Sequence, residues 1–114
     1  MLMRLSVLVV SRTSSLLNQL SGSLVDATSL PDVEVEILVS WNGNRSDEQR
    51  IKNASSYPLH IACRDQYHFA SNVNALADRA KGDLLLILND DVVLDPGRID
   101  AAIACLTPRP MPVR

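Results

Sequence analysis

The sequence has few aromatic residues and no long hydrophobic run. Aromatic side chains make up 4% of the 114 residues, which is too few for the stacking platforms that bind single-stranded nucleic acid. The eleven basic residues are scattered and the formal net charge is −2, so charge gives no support for nucleic-acid binding either. No apolar stretch has the length of a membrane-spanning helix. We therefore expect no nucleic-acid partner and no transmembrane segment.

Cysteine is also scarce. Cys63 and Cys105 have no further ligands at the spacing of a metal site, so free thiols in a reducing compartment are the simplest interpretation, and we expect a cytoplasmic location. The first ten residues faintly resemble a secretory signal. Their apolar stretch is short and no small-residue cleavage site follows, so we interpret them as a first strand.

Several phosphate-binding and catalytic motifs are missing. The chain has four glycines, and none lies in the turn 11–15 after the first strand, which excludes a Gly-rich dinucleotide loop. There is no Walker A sequence, which excludes a P-loop NTPase. A nucleophile elbow for Ser-His-Asp hydrolysis is absent, as is the acidic pair that a phospho-receiver domain needs at its first strand.

What is present is an alternation of strand-like and helix-like segments. Strands are predicted at 5–10, 33–39, 59–63 and 84–88, and helices at 16–27, from 46, at 69–80 and at 95–106. This alternation predicts βαβ units and a mostly parallel sheet. Right-handed crossovers then give a three-layer, Rossmann-like α/β fold with strand order 3-2-1-4. We expect one domain over 1–106 and a Pro-rich tail over 107–114.

The most informative segment is the fourth strand and the acidic triplet after it. Five apolar residues, Leu84 to Leu88, end in Asn89-Asp90-Asp91, and such a short uniform run is typical of a strand buried on both faces. Two adjacent carboxylates repel each other unless a cation or solvent compensates, and oxygen ligands suit Mg²⁺ or Mn²⁺. Ligands of open α/β sheets bind beyond the carboxyl ends of the strands. A metal that bridges to a phosphate is therefore our first hypothesis, at the crevice between strands one and four.

The layout over residues 4–106 resembles the N-terminal, nucleotide-binding half of a family 2 glycosyltransferase of the GT-A fold, in truncated form. The resemblance is carried by 5–12, by 34–39 with 42–44, and most strongly by 69–74 and 80–91. It implies that the triplet is a DxD-type motif. Asp91 would then coordinate Mg²⁺ or Mn²⁺ on the diphosphate of a nucleotide sugar, with Asp90 beside it and Asn89 near the ribose. Such an ion would offset charge on the departing nucleoside diphosphate.

The resemblance implies further nucleotide-binding positions, each of which has a second interpretation. Arg12, with Ser11 before it, would approach a phosphate, or else it is a solvated surface charge. Trp41, with Asn42 after it, would stack on the base, or else it plugs the sheet edge. Asn72 and Asn74 would lie near the donor, or else they are ordinary helix residues. The two aspartates themselves would hold the metal, or else they belong to a solvated turn.

Three features depart from the family pattern. The triplet begins with Asn89, and Trp41 stands where the family usually has an acid that recognises the base. Nothing in the chain matches the acceptor half, which supplies the general base.

The sequence therefore supports a nucleotide-sugar-binding half of a glycosyltransferase. The alternatives are a non-enzymatic nucleotide-binding module derived from that fold and an interaction domain in which the acidic loop is vestigial.

The predicted strand order also has a consequence for assembly. In the order 3-2-1-4 the fourth strand lies at an edge, and Leu84–Leu88 is more apolar than natural exposed edges usually are. We therefore expect a homo-oligomer that pairs or packs around the fourth strand.

Overall fold

The computed structural model describes residues 3–25, 33–63, 68–95 and 97–106. Strands and helices alternate along the described chain: β1 (Met3–Ser11), α1 (Ser14–Ser23), β2 (Val33–Trp41), α2 (Arg45–Glu48), β3 (Leu59–Cys63), α3 (Phe69–Arg79), β4 (Leu84–Asn89) and α4 (Arg98–Leu106). The predicted Pro-rich tail, 107–114, lies outside the described residues.

The strands form one parallel sheet in the order β3-β2-β1-β4, which confirms the predicted topology. The central strand β1 pairs with β2 up to Ser11↔Trp41 and with β4 up to Val10↔Asn89. Because the strands are parallel, their carboxyl ends lie at the same edge of the sheet. The registers therefore bring the segments after β1 and β4 together, as the sequence predicted, and the segment after β2 lies at the same edge.

The two faces of the sheet carry separate hydrophobic clusters, because successive side chains of a strand point to opposite faces. The larger cluster packs α1 and α4 against one face and contains Leu5, Val7, Val9, Leu17, Leu20, Leu24, Val35, Ile37, Val39, Trp41, Ile99 and Ile103. The smaller cluster lies under α3 and contains Leu8, Val10, Leu38, Val73 and Leu76. Helices on both faces make the fold three-layered, as predicted.

The prediction that the fourth strand is buried on both faces is wrong. Leu84, Leu86 and Leu88 are partly buried against the larger cluster, but Leu85 and Ile87 are 45% and 50% exposed. The reason is that α3 packs over β1 and β2 and no other described helix covers β4 on that side. A uniformly apolar run does not reveal whether a helix layer extends to the edge of the sheet.

Three helices begin at other residues than the sequence predicted. Helix α1 begins at Ser14 and α2 at Arg45. Helix α4 begins at Arg98, after the predicted start at Asp95 and Pro96, and Pro96 lies outside the described residues. Gly97 has φ +82°, a left-handed conformation that glycine adopts without strain and that a helix does not contain. The left-handed glycine therefore separates Asp95 from the first residue of α4.

A partly buried hydrogen-bond network fixes the turn from α3 into β4. The Ser6 hydroxyl, which is buried in β1, donates to Glu36 Oε2 at 2.5 Å and accepts from the Gly82 N–H at 2.9 Å. Glu36 Oε2 also accepts from the Lys81 N–H at 2.8 Å. A Cβ on Gly82 would lie 2.5 Å from Ser6 Oγ and 2.6 Å from Ser6 N. Gly82 therefore allows the close approach of this turn to β1, which sets the start of β4.

Replacing Gly82 with alanine should destabilise the fold by about 2 kcal/mol, because the added methyl group meets backbone that cannot move away. The measurement is the free energy of unfolding in urea. Gly22→Ala is the matched control, since its Cβ meets only Ala54 Cβ at 3.8 Å. Because Gly22 lies inside α1, this variant should stabilise the protein by about 0.5–1 kcal/mol. If the two variants changed the free energy of unfolding equally, the role of Gly82 in the close approach to Ser6 would be contradicted.

The same network predicts a pH dependence of stability. Burial alone would raise the pKa of the Glu36 carboxyl, but hydrogen bonds from Ser6 and the Lys81 N–H, with the positive charges of His60 and Lys81, lower the pKa below its usual 4.5. Because the folded pKa lies below the unfolded one, the stabilisation is complete above the unfolded pKa. It is lost as the pH falls through the folded pKa.

We therefore expect the stability difference between the protein and Glu36→Gln to be largest at neutral pH and to shrink toward pH 3 in urea unfolding. Glu34→Gln is the control, because Glu34 forms only an exposed ion pair with Arg4 at 3.4 Å, and such pairs contribute little. If the difference in the free energy of unfolding between the protein and Glu36→Gln does not change with pH, the ionisation of Glu36 plays no part in stability.

Candidate nucleotide-binding site

A hydrogen bond joins the ends of β1 and β4 at the predicted crevice. Ser11 is buried at the last position of β1, and its hydroxyl donates to Asp90 Oδ2 at 2.8 Å. The same hydroxyl lies 3.3 Å from the Thr13 carbonyl oxygen and 3.4 Å from the Thr13 N–H. Ser11 therefore holds both the loop after β1 and the acidic loop after β4.

The acidic triplet is part of a tight turn. The Val92 N–H donates to the Asn89 carbonyl at 3.2 Å, so Asp90 and Asp91 occupy the two central positions of a β-turn. Asp90 is partly buried because its side chain turns toward Ser11, whereas Asp91 is exposed. The turn thus orients the two carboxylates differently, and Asp91 is the one open to solvent.

The carboxylates provide few ligands for a cation. No group of three or more His, Cys, Asp or Glu side chains that could hold a metal ion occurs among the described residues. Mg²⁺ in proteins is often held by one or two carboxylates, with phosphate oxygens and waters completing the octahedron. The donor set at Asp90 and Asp91 fits that kind of site, in which the ligand's phosphates supply part of the coordination.

The N-terminus of α1, where phosphates bind in many nucleotide-binding folds, is closed by a carboxylate of the protein. Asp47, from α2, accepts from the Ser14 hydroxyl at 2.6 Å and from the Ser14 N–H at 2.8 Å. These bonds lower the pKa of Asp47 below its ordinary value, so its carboxylate stays ionised to a lower pH than that of an ordinary aspartate. The sequence predicted a local cap from Ser14 and Ser15. It missed Asp47, because no local pattern indicates a cap that comes from 33 residues away.

The loop after β2 packs closely against the loop after β1. A Cβ on Gly43 would lie 2.5 Å from the Arg12 carbonyl oxygen and 2.5 Å from the Trp41 ring, so glycine is needed for this approach. The Arg12 side chain is exposed. The arginine predicted to approach a phosphate is therefore at the surface of the crevice, and its backbone touches the neighbouring loop.

Trp41 is buried. Its side chain is 2% exposed and belongs to the larger hydrophobic cluster, and its indole N–H donates to the Asn44 carbonyl at 3.3 Å. Of the two interpretations of this residue, packing is the one that its position supports. Stacking on a base would require the ring to leave the core, and it stays a prediction.

The two predicted asparagines of α3 have different surroundings. Asn72 is fully buried, and its Nδ2 donates to Asn42 Oδ1 at 2.9 Å, which links α3 to the loop after β2. Its Oδ1 has no protein partner among the described residues, and neither has the buried Ser40 hydroxyl. Both residues line a cavity of about 130 Å³ between α3, β2 and β3. Asn74 is exposed.

A larger groove lies at the opposite end of the sheet. It has a volume of about 540 Å³ and is lined by residues that include Arg4, Glu34, Glu36, His60 and Lys81. None of the predicted nucleotide-binding residues lines this groove. The predicted site lies instead at the carboxyl ends of the strands, where Ser11 and Asp90 meet.

The parallel sheet in the order 3-2-1-4 and the helices on its two faces define a Rossmann-like α/β architecture. Comparisons with solved structures support this fold. Neither a protein-family model nor a curated protein matches the chain. The structure is similar to crystal structures of S. aureus TarS, a family 2 glycosyltransferase. The TM-scores are 0.71 for TarS, 0.75 for TarS 1-349 and 0.66 for TarS 1-349 in complex with UDP. The predicted resemblance to this fold is therefore confirmed.

The similarity to TarS is one of fold. Sequence identity is 20%, 18% and 18% for the same three structures, over 90%, 97% and 90% of this chain. The matched region is 19%, 39% and 31% of the respective TarS chains, so this chain spans less than half of any of them. Within the described part of the chain, no helix has the length and apolar character to cross a membrane.

The burial of Trp41, the only tryptophan, leads to a fluorescence prediction. Its emission should be that of an apolar environment and should resist quenching by acrylamide, both without nucleotide and with saturating UDP. A shift that saturates at the affinity measured by calorimetry would show that the ring contacts the base, contrary to the packed position.

Proposed function

We propose that this chain is a donor-binding half of a glycosyltransferase, which binds the nucleoside diphosphate of a nucleotide sugar together with Mg²⁺ or Mn²⁺. The observation that carries the proposal is the hydrogen bond from Ser11 to Asp90. It fixes the acidic turn at the switch point of the sheet and leaves Asp91 exposed, where a cation and a diphosphate can both reach it. The fold shared with TarS, one structure of which contains UDP, supports a nucleotide as the ligand.

The residues at the crevice have distinct roles in this proposal. Asp91 binds the cation, and Asp90, held by Ser11, keeps the turn in place. Arg12 approaches the diphosphate from the loop after β1, and Asn89 lies near the ribose. The cation, when bound, neutralises charge on the diphosphate as the sugar departs. The N-terminus of α1 takes no part, because Asp47 already accepts its first N–H group.

The base side of the site is proposed to lie between the loop after β2 and α3. The side chains of Asn42 and Asn72 are bonded to each other there, so each orients the other. Asn74 and Trp41 are the other predicted nucleotide-binding residues on this side. Asn74 would contact the base from the exposed side of α3, and the buried Trp41 would support the loop after β2. A nucleobase would then contact a preformed surface, which lowers the entropy cost of binding.

The alternative function is nucleotide binding without catalysis. Glycosyl transfer with inversion needs a general base beside the acceptor. Of the described carboxylates near the carboxyl ends of the strands, Asp90 and Asp91 have roles in the proposed donor site, and Asp47 is bonded to Ser14 at the start of α1. The groups that bind a nucleotide are therefore present without a separate carboxylate for the acceptor. We propose that the chain by itself binds the donor and does not transfer the sugar.

Calorimetric titration with UDP, in Mn²⁺ and in chelator, tests the proposal. Binding should require the metal, and Asp91→Asn should weaken it about tenfold or more, equivalent to about 1.4 kcal/mol. Asp90→Asn should weaken it less, because an amide oxygen still accepts from Ser11. Equal affinity in Mn²⁺ and in chelator would refute the role of the metal.

The matched control is Asp95→Asn. Asp95 is an exposed carboxylate shortly after the turn, and it forms an exposed ion pair with Arg98 at 3.7 Å. The same charge change at this position should leave the affinity for UDP unchanged. If it weakens binding as much as Asp91→Asn does, general electrostatic attraction, and not coordination, explains the loss.

A further inference from the structure

The cavity between α3, β2 and β3 is lined by two buried polar side chains. Ser40 is 1% exposed and Asn72 is fully buried, and both line this space of about 130 Å³. Within the part of the chain that the structure describes, neither Ser40 Oγ nor Asn72 Oδ1 has a hydrogen-bond partner. Burying a polar group without a partner costs free energy, so nearly all such groups in native proteins bond to protein or to ordered water.

Both polar groups face the cavity because of their positions in β2 and α3. Successive side chains of a strand alternate between its faces, so Ser40 lies on the same face as Leu38, which belongs to the smaller hydrophobic cluster. Residues four apart lie on one face of a helix, so Asn72 lies one turn from Leu76 of the same cluster. The sequence thus places a hydroxyl and an amide at the carboxyl end of an otherwise apolar interface.

Small side chains leave room between these two groups. Ser40 is paired with Ala62 of β3, and Ala75 lines the cavity from α3. A methyl group fills little of the space between a helix and a sheet. One water needs only about 10–15 Å³ of such space, so the cavity is large enough for more than one.

The chemistry of the lining selects water over an ion. The Ser40 hydroxyl can donate or accept, whereas Asn72 Oδ1 only accepts and therefore repels an anion. A cation would lie near the guanidinium of Arg79, which lines the same cavity, and like charges repel. A water molecule can accept from Ser40 and donate to Asn72 through hydrogen bonds of about 2.8 Å each.

We propose that this cavity is a binding site for buried water, which bridges the Ser40 hydroxyl to Asn72 Oδ1, and that Asn72 transmits the restraint to Asn42 in the loop after β2. The Asn72 amide is then held at both ends, because its Nδ2 donates to Asn42 Oδ1 at 2.9 Å. Turning over the Asn72 amide alone would bring its oxygen against the Asn42 oxygen and break both bonds. The bound water thus fixes the orientation of both amides.

Ser40 is a positioning residue in this arrangement. Its hydroxyl is buried and acts on a nucleotide only through the water, Asn72 and Asn42. This positioning role rests on the proposed function, in which Asn42 lies on the base side of the site, whereas the water site itself does not. An amide that is oriented before the ligand arrives lowers the entropy cost of binding.

Nuclear Overhauser contacts between water and side-chain amides test the water site in the ¹⁵N-labelled full chain. The Asn72 side-chain N–H should show a contact to water with the sign of a long-lived, buried molecule. Asn74 is the matched control, because its amide lies on the same helix and is exposed, so it should meet only rapidly exchanging water. Absence of the long-lived contact at Asn72 would overturn the proposal.

Unfolding in urea distinguishes a bridged hydroxyl from an unpaired one. Ser40→Thr and Ser40→Val form a matched pair, since both introduce a branched side chain of nearly the same shape and only threonine keeps the hydroxyl. Ser40→Val should unfold at a lower urea concentration than Ser40→Thr, because the water loses one of its partners. A valine variant as stable as the threonine variant, or more stable, would overturn the bridge, because that result is expected for a hydroxyl without a partner.

UDP affinity in Mn²⁺ tests the positioning role with the same pair. Ser40→Val should bind UDP about threefold more weakly than Ser40→Thr, as expected when a modest hydrogen bond is lost. In an Asn42→Ala background the two should bind equally, whereas their difference in urea unfolding should remain. Equal affinity in the parent background, or a difference that persists without Asn42, would overturn the positioning role. Absence of UDP binding to the parent would refute the proposed function and the positioning role with it, and the contacts to water would still decide the water site.

Discussion

The parallel pairing of β1 on both of its edges is the constraint on which the candidate site depends. Ser11 at the end of β1 reaches Asp90 only because the register with β4 ends at Val10↔Asn89. That register is set at the other end of the strand, where Ser6, Glu36 and Gly82 form a partly buried hydrogen-bond network. The network at the amino end therefore fixes where the acidic turn lies at the carboxyl end, one strand length away.

The sequence was sufficient to predict this framework. Short apolar runs alternate with segments of helical period. Because crossovers between parallel strands are right-handed, few strand orders are then possible, and the order 3-2-1-4 is the one observed. The meeting of Ser11 with Asp90 also followed, because the carboxyl ends of adjacent parallel strands share an edge. These predictions rest on periodicity and chain connectivity, which are local or topological properties.

Properties that depend on packing between distant segments were not predictable in the same way. Asp47 caps α1 from another loop, Gly82 has its role because Ser6 lies against it, and the burial of Trp41 depends on how the two loops close over it. Leu85 and Ile87 are exposed because α3 lies over β1 and β2 and does not reach β4. In each case the residue type is compatible with several roles, and only the tertiary neighbour decides between them.

In the proposed function, the capped N-terminus of α1 and the exposed turn after β4 explain why nucleotide binding would rely on a cation. A Rossmann-type site places phosphate on helix N–H groups, but here Asp47 accepts the first of them, and the turn toward which a diphosphate would move carries two carboxylates. An anion approaching Asp90 and Asp91 is repelled unless positive charge lies between them. A divalent cation would supply that positive charge. In the proposed function the anion would therefore bind at the β4 turn and not at α1, and binding there would require added positive charge.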